Sequence, residues 1–249
     1  MSNTYTNYLT TRSKSSNPQL EEILSKIYKT ELQKMQDSIK ERCEQNSVKG
    51  MDQMIGRRFG NFLQEIVRIT FELTCKEIQK TGIEISLKDI ILDMISNHLK
   101  SSKISNQDEI LNSLEKEISP FIDMKIGLGD FQFSTPKEQY VVEIKWRVRW
   151  NDAKTVKEHA MAAPRIISQG FVPVMLIRRP RNESFSSLDR FEKNGWIVLT
   201  GDDCGKFIQE HTNFDLFDWI KNNVNFWNDL KQHHECLKNL QVSKNDFTF

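Results

Sequence analysis

From Gln19 onward, apolar residues recur at three- and four-residue intervals. Leu20, Ile23, Leu24, Ile27, Tyr28 and Met35 fall on one stripe, which is the pattern of an amphipathic helix with one face turned to a core. Its end is expected before Gly50. A second stripe, Ile55, Phe59, Phe62, Leu63, Ile66, Val67 and Leu73, predicts a second helix closing near Gly82. Ser86 with Asp89, and Ser105 with Asp108, carry the spacing of capping boxes and predict a third and a fourth helix. The first half therefore reads as nearly all helix. Residues 1–18, rich in Ser, Thr and Asn, have few groups able to offset the entropy of ordering and read as a flexible arm.

After Pro120 the period changes. FIDMKIGLGDFQF and YVVEIKWRVRW alternate apolar and polar residues and are rich in β-branched and aromatic side chains, so they read as two antiparallel strands. A helical stretch from Asp152 to about Ser168 leads through Gly170 into FVPVMLIRR, a short apolar run suited to a strand buried on both faces. A helix from Ser186 to Lys193, a strand from Trp196 to Leu199 and helices around Gly205 and Asp215 follow. Strand, strand, helix, strand, helix, strand is the order of a mixed α/β sheet.

Composition narrows the field only a little. Thirty-five Lys and Arg against 34 Asp and Glu give a net charge of +1, so any nucleic-acid surface has to be local. Cys43, Cys75, Cys204 and Cys236 are scattered without a C-x-x-C pair, which suggests neither a disulfide framework nor a zinc site and points to a reducing cytosol. No basic-then-apolar leader and no run long enough to span a bilayer is visible, so a cytoplasmic protein is expected.

The chemistry concentrates where the two strand-like runs meet. Asp130 follows Gly127 and Gly129 at the end of the first run, and Glu143 and Lys145 stand thirteen and fifteen positions later. Strand side chains alternate, so Val141, Glu143, Lys145, Arg147 and Arg149 share one face, and Ile144, Trp146, Val148 and Trp150 the other. Neighbouring strands lie about 4.8 Å apart, close enough for Asp130 and Glu143 to share a cation with the Ile144 carbonyl as a third oxygen ligand. Such hard ligands suit Mg²⁺, whose chemistry serves phosphodiester hydrolysis. Lys145 is placed to orient water or steady the phosphoryl group. Asp123, also ahead of Glu143, competes with Asp130 for the metal.

The pattern G-D-x12-E-I-K resembles the PD-(D/E)XK nuclease superfamily. Its continuation through EIKWRVRW, a helix and GFVPVMLIRR is similar to type II restriction endonucleases, the ApaLI-like enzymes in particular. Gly129 stands where the family motif has Pro. The resemblance implies an α/β fold: a restriction-endonuclease-like mixed β-sheet core flanked by helices, behind a mostly helical N-terminal half. It divides the chain into an arm (1–18), a helical region for dimerisation or DNA contacts (19–118), the nuclease core (119–223) and a C-terminal helix and tail (224–249). It also implies an acidic residue on a helix ahead of the core, near the metal; Glu65 in GRRFGNFLQEIVR fills that place, or is a solvated helix carboxylate.

Basic residues around this core have two readings, phosphate contact or ordinary surface. Arg147 and Arg149 continue the ionic face, and Lys154 and Lys157 lie on the next helix with His159 and Arg165. Arg178, Arg179 and Arg181 leave the apolar strand as a cluster dense enough to favour DNA. Lys137 and Glu138 read as a surface turn, Trp196, Trp219 and Trp227 as core, and Gly201-Asp202-Asp203 as a turn opening a helix. His233, His234 and Cys236 lack a second pair of soft ligands.

The expected activity is thus Mg²⁺-dependent cleavage of double-stranded DNA at a short, palindromic sequence by a homodimer, in a prokaryotic cytoplasm beside a cognate DNA methyltransferase. Two alternatives stay open: a repair or junction-resolving nuclease of the same fold, and a non-catalytic DNA-binding protein built on it.

Overall fold

A computed structural model of the chain describes residues 17–44, 50–75, 77–79, 81–102, 106–118, 125–146, 162–179 and 187–233. Two long helices open it, α1 (Pro18–Glu44) and α2 (Met51–Thr74). Asn17 caps α1 through its Oδ1, which accepts the Leu20 N–H at 3.1 Å. The contacts between Arg58 and Ser38, and between the rings of Tyr28 and Phe62, join later α2 positions to earlier α1 positions. The two helices therefore form an antiparallel hairpin. Of the residues read as the apolar stripes, Leu20, Leu24, Tyr28, Met35, Ile55, Phe59, Phe62, Leu63, Ile66 and Val67 are buried, Ile23 and Ile27 are half-buried, and Leu73 is 44% exposed.

The second helix ends at Thr74, earlier than its apolar pattern suggested. Cys75 is already extended, and the chain adds a two-residue strand, β1 (Ile78–Gln79), to the edge of the main sheet. Pairing with that sheet overrides the helical period here. Strand β2 (Ile83–Ser86) leads into α3 (Leu87–Ser101) and α4 (Gln107–Ile118). The two helices fall where the Ser86 and Ser105 signals put them, although the Ser86 side chain makes no capping hydrogen bond.

The first strand-like run is not one strand. It divides into β3 (Lys125–Leu128), which pairs with β2 in a separate two-stranded sheet, and β4 (Phe131–Ser134), which joins the main one. Strand β5 (Gln139–Lys145) lies antiparallel to β4 across a turn in which Lys137 and Glu138 are exposed. Residues 162–168 are helical and form α5. Then come β6 (Val172–Ile177), α6 (Ser187–Lys193), β7 (Ile197–Thr200), α7 (Asp202–Thr212), α8 (Leu216–Asn223) and α9 (Phe226–His233). The main sheet has the order β1-β4-β5-β6-β7, antiparallel across β1, β4 and β5 and parallel across β5, β6 and β7. The fold is mixed α/β with a mostly helical first half.

Both faces of the sheet are covered. Phe131, Phe133, Val142, Ile144 and Leu176 pack with α1, α2, α7, α8 and α9, and Val141, Met175 and Ile177 pack with α5 and α6. The ionic face of β5 is itself turned inward: Glu143 is only 5% exposed. Trp196 and Trp219 are buried as read. At the far end, Phe226 of α9 packs edge-on against Tyr28, Phe59 and Phe62. There the Tyr28 hydroxyl donates to Asp229 and accepts the Asn225 N–H at 3.1 Å.

Cys75 and Cys204 are free thiols, whereas Cys43 is disulfide-bonded, so one bridge exists where the cysteine spacing suggested none. Among the described residues no helix is long and apolar enough to cross a membrane.

Candidate active site

Asp130 owes its position to the break between β3 and β4. Gly129 has φ +83°, and a Cβ there would lie 2.4 Å from Val141 Cγ1 and 3.1 Å from the Val142 carbonyl oxygen. Only glycine fits such a turn. Proline, which the PD-(D/E)XK motif that the sequence resembles has at this position, is held near φ −65° and could not make it. Gly82 closes on the same turn from the other side: a Cβ on it would sit 1.8 Å from the Leu128 carbonyl oxygen and 2.4 Å from that of Gly129. The glycine read as marking a helix end is instead where the small sheet presses against the turn.

Phe131 is registered opposite Val142, so the next pair outward in the antiparallel ladder brings Asp130 opposite Glu143. The Asp130 N–H still donates to the Val142 carbonyl at 2.7 Å, but β4 supplies no further backbone. Its place is taken by side chains. Asp130 Oδ2 accepts the Ile144 N–H at 2.6 Å, and Gln64 on α2 donates from Nε2 to the Ile144 carbonyl at 3.3 Å and to Asp130 Oδ1 at 3.1 Å. Backbone groups in an interior must find partners, and here the ends of the ladder recruit two.

Glu143 and Lys145, two apart on β5, face the same way, with Nζ 2.5 Å from Oε1 and the lysine side chain 28% exposed. Burial, then the charge of Glu143, pushes the Asp130 carboxyl up to about 6, against the pull of the Ile144 N–H, Lys145 and Gln64. Burial also raises the Glu143 carboxyl, with Lys145 opposing. The two carboxylates thus crowd one another in a dry setting where each favours the protonated form.

This is a donor set short of positive charge, and it fits a hard cation. Asp130 Oδ1 and the Ile144 carbonyl, two of the oxygens expected as ligands, converge on a single point, occupied by the Gln64 amide nitrogen. Glu143 supplies a second carboxylate beside it. Among the described residues no cluster of three or more His, Cys, Asp or Glu side chains that could hold a metal ion is present; the oxygens that could do so at this strand end are those of Asp130, Glu143 and the Ile144 carbonyl. Ions that keep several waters, as Mg²⁺ does, need no more.

Glu65, named from sequence as a helix-borne ligand, lies one position beyond Gln64, and both its oxygens lie 2.8 Å from Arg68 Nη2. Arg68 also bonds Glu72. The α2 residue that reaches the pair is Gln64, which the sequence reading passed over. Its only sequence signal is adjacency to Glu65 on a helix ahead of the core.

Arg178 and Arg179 extend the β5–β6 ladder, donating their N–H groups to Lys145 and Trp146 carbonyls at 3.0 and 3.2 Å. They leave the sheet immediately beside Lys145. Arg178 lies 4.6 Å from the Phe217 ring centroid and Arg179 5.1 Å from that of Trp146. Burial holds the Arg178 pKa below the usual arginine range, and its buried Nε has no hydrogen-bond partner among the described residues. Asp123, Arg147, Arg149, Lys154, Lys157, His159, Arg181, His234 and Cys236 lie outside the described residues.

No family model, curated protein or solved structure matches the chain.

Proposed function

We propose that this protein is a Mg²⁺-dependent endonuclease that hydrolyses phosphodiester bonds in double-stranded DNA, with Asp130, Glu143 and Lys145 as its catalytic residues. The observation that carries this reading is the convergence of Asp130 Oδ1 and the Ile144 carbonyl on one point, beside a buried Glu143 paired with Lys145. Carboxylate, carboxylate, carbonyl and lysine at one strand end form a set suited to phosphoryl chemistry.

Asp130, Glu143 and the Ile144 carbonyl would hold Mg²⁺, which when bound supplies Lewis-acid stabilisation of the phosphoryl group and a more acidic water. The rest is done by the chain. Burial raises the carboxyls of both Asp130 and Glu143, so a cation bound between them would favour their charged forms. Lys145, its ammonium beside the carboxylates, donates to the phosphoryl oxygens and the attacking water as negative charge builds. As the attacking water's oxygen bonds phosphorus it gives up a proton to solvent, the opposite P–O bond breaks, and the departing oxygen takes up a proton from solvent. Arg178 and Arg179, emerging next to Lys145, would hold flanking phosphates without reading sequence.

At finer grain we assign a type II restriction endonuclease acting on a short palindromic site. A homodimer matches two-fold DNA symmetry with one centre per strand, and a cognate methyltransferase would protect the host. The test is incubation of the purified chain with plasmid and phage DNA in Mg²⁺ or EDTA, alongside Asp130→Ala and Lys145→Ala. Discrete Mg²⁺-dependent fragments, lost in both variants, are expected. Cleavage confined to branched DNA would replace the restriction reading with a junction-resolving one; tight binding without cleavage would leave a DNA-binding protein.

A further inference from the structure

Where α1 ends and α2 begins, a cleft of about 430 Å³ is lined by Arg42, Gly50, Gln53, Arg57, Arg58 and Asn61 among others, with three arginines and no carboxylate among its described lining residues. Arg42 lies against Gly50, its Nη1 3.9 Å from where a Cβ would be. Arg58 is committed to the helix hairpin, donating to Glu31 at 2.9 Å and Ser38 at 3.0 Å. Arg57 is different: it is exposed and makes no ion pair or hydrogen bond among the described residues. A cationic side chain on a cleft whose described lining residues are arginines, amides, a glycine and a methionine is suited to an anion from outside.

The cleft and the candidate active site share one helix, α2. Gln53, Arg57, Asn61 and Gln64 stand at intervals of four, four and three residues, so they lie on one stripe of the helix. Gln53, Arg57 and Asn61 are exposed and Gln64 half-buried, while Ile55, Phe59, Phe62 and Ile66 hold the opposite side in the core. The stripe carries amides and a guanidinium and no acid, and it ends at the residue that bonds Asp130 and Ile144. Arg57 precedes Gln64 by two turns, about 10 Å along the axis. Phosphates of one duplex strand recur every 3.4 Å of helix rise or so, making the separation roughly three nucleotides.

We propose that the α1–α2 cleft seats backbone phosphates of DNA, and that the α2 stripe carries the strand from there to Asp130. The identity of the anion rests on the nuclease reading; the existence of an anion seat rests on the cleft alone. The seat acts by position and charge, and so it adds affinity equally for every sequence.

The test measures binding of the full chain to a fluorescent duplex by anisotropy in EDTA, over a KCl titration, for wild type, Arg57→Gln, Arg57→Glu and Asp130→Asn. Removing one phosphate contact should weaken binding several-fold and make log K against log salt shallower by about 1. Arg57→Gln should do this and Arg57→Glu should do it more strongly, with circular dichroism unchanged and Asp130→Asn keeping the wild-type slope. Wild-type affinity and slope in both Arg57 variants would overturn the proposal. So would saturation by inorganic phosphate in a chain that binds no duplex. The two readings fail separately: a chain that binds DNA through Arg57 and never cuts leaves the seat and removes the nuclease, while a chain that cuts normally without Arg57 does the reverse.

Discussion

Asp130 stands in for the missing next residue of a strand, its Oδ2 accepting the Ile144 N–H at 2.6 Å where the β4–β5 ladder runs out. A residue read as a metal ligand is therefore also a structural acceptor. Its two oxygens are divided, one to the backbone and one, through Gln64, to the point where the Ile144 carbonyl also aims.

That arrangement sets a pH dependence with a definite sign. The Asp130 carboxyl titrates near 6 in the folded chain and near 3.9 in an unfolded one, so between these values the native state binds the extra proton. Stability without metal should fall as pH rises from about 4 to 6 and stay low above, by on the order of 3 kcal/mol. Asp130→Asn should flatten this slope, although its NH2 can no longer accept one of the two hydrogen bonds that Asp130 takes. Mg²⁺ should stabilise wild type increasingly above pH 6 and leave the variant unmoved. Denaturant titrations across pH with and without metal check both; an Asp130→Asn slope equal to that of wild type would refute the electrostatic account.

Gln64→Leu leaves the Ile144 carbonyl and one Asp130 oxygen without a donor, at a cost of about 1–3 kcal/mol. Gln64→Glu should behave in the opposite way towards metal. It adds a third carboxylate, so the metal-free chain should melt earlier at pH 8 and gain more from Mg²⁺ than wild type does. Thermal melts in EDTA and Mg²⁺ separate the two variants.

Proline in place of Gly129 is expected to destroy the site. Gly129→Pro cannot adopt φ +83°, and Gly129→Ala and Gly82→Ala both drive a methyl into backbone or Val141. Each should lose several kcal/mol of stability or fail to fold, by urea unfolding, in contrast to alanine at Gly127, where a Cβ meets nothing within 4 Å.

The far end of the molecule offers a test free of the site. Tyr28→Phe removes the donor to Asp229 and the acceptor for the Asn225 N–H, and about 1–3 kcal/mol should be lost. Phe226→Ala empties the centre of an aromatic cluster and should cost about 3–5 kcal/mol. Chemical denaturation reads both, and in the surviving folded fraction metal binding should be unaltered.

Much of this was legible beforehand for a physical reason. Alternation along YVVEIK placed Glu143 and Lys145 on one side of a strand, and helical stripes such as Phe59, Phe62 and Ile66 mark their buried faces directly. What escaped depends on relations between distant segments. Gln64 matters only because β4 stops at Asp130, a fact about the ladder with no trace in local pattern. The split of FIDMKIGLGDFQF follows from the φ of Gly129, and the early end of α2 from Ile78 pairing with Phe133. Glu65 illustrates the cost of a single helical step: 100° further round, its carboxylate goes to Arg68.

Phe226 closing over Tyr28, Phe59 and Phe62 also bears on how the chain reaches its native state. The partners in that cluster are separated by nearly the whole described sequence, and contacts so remote must wait on a large loop closure before they return any stabilisation. During synthesis the α1–α2 hairpin would emerge long before α9, with an aromatic face still open to water. Vectorial folding should therefore pass through an intermediate that is helical, sticky and dependent on chaperone shielding until the last helix clears the ribosome.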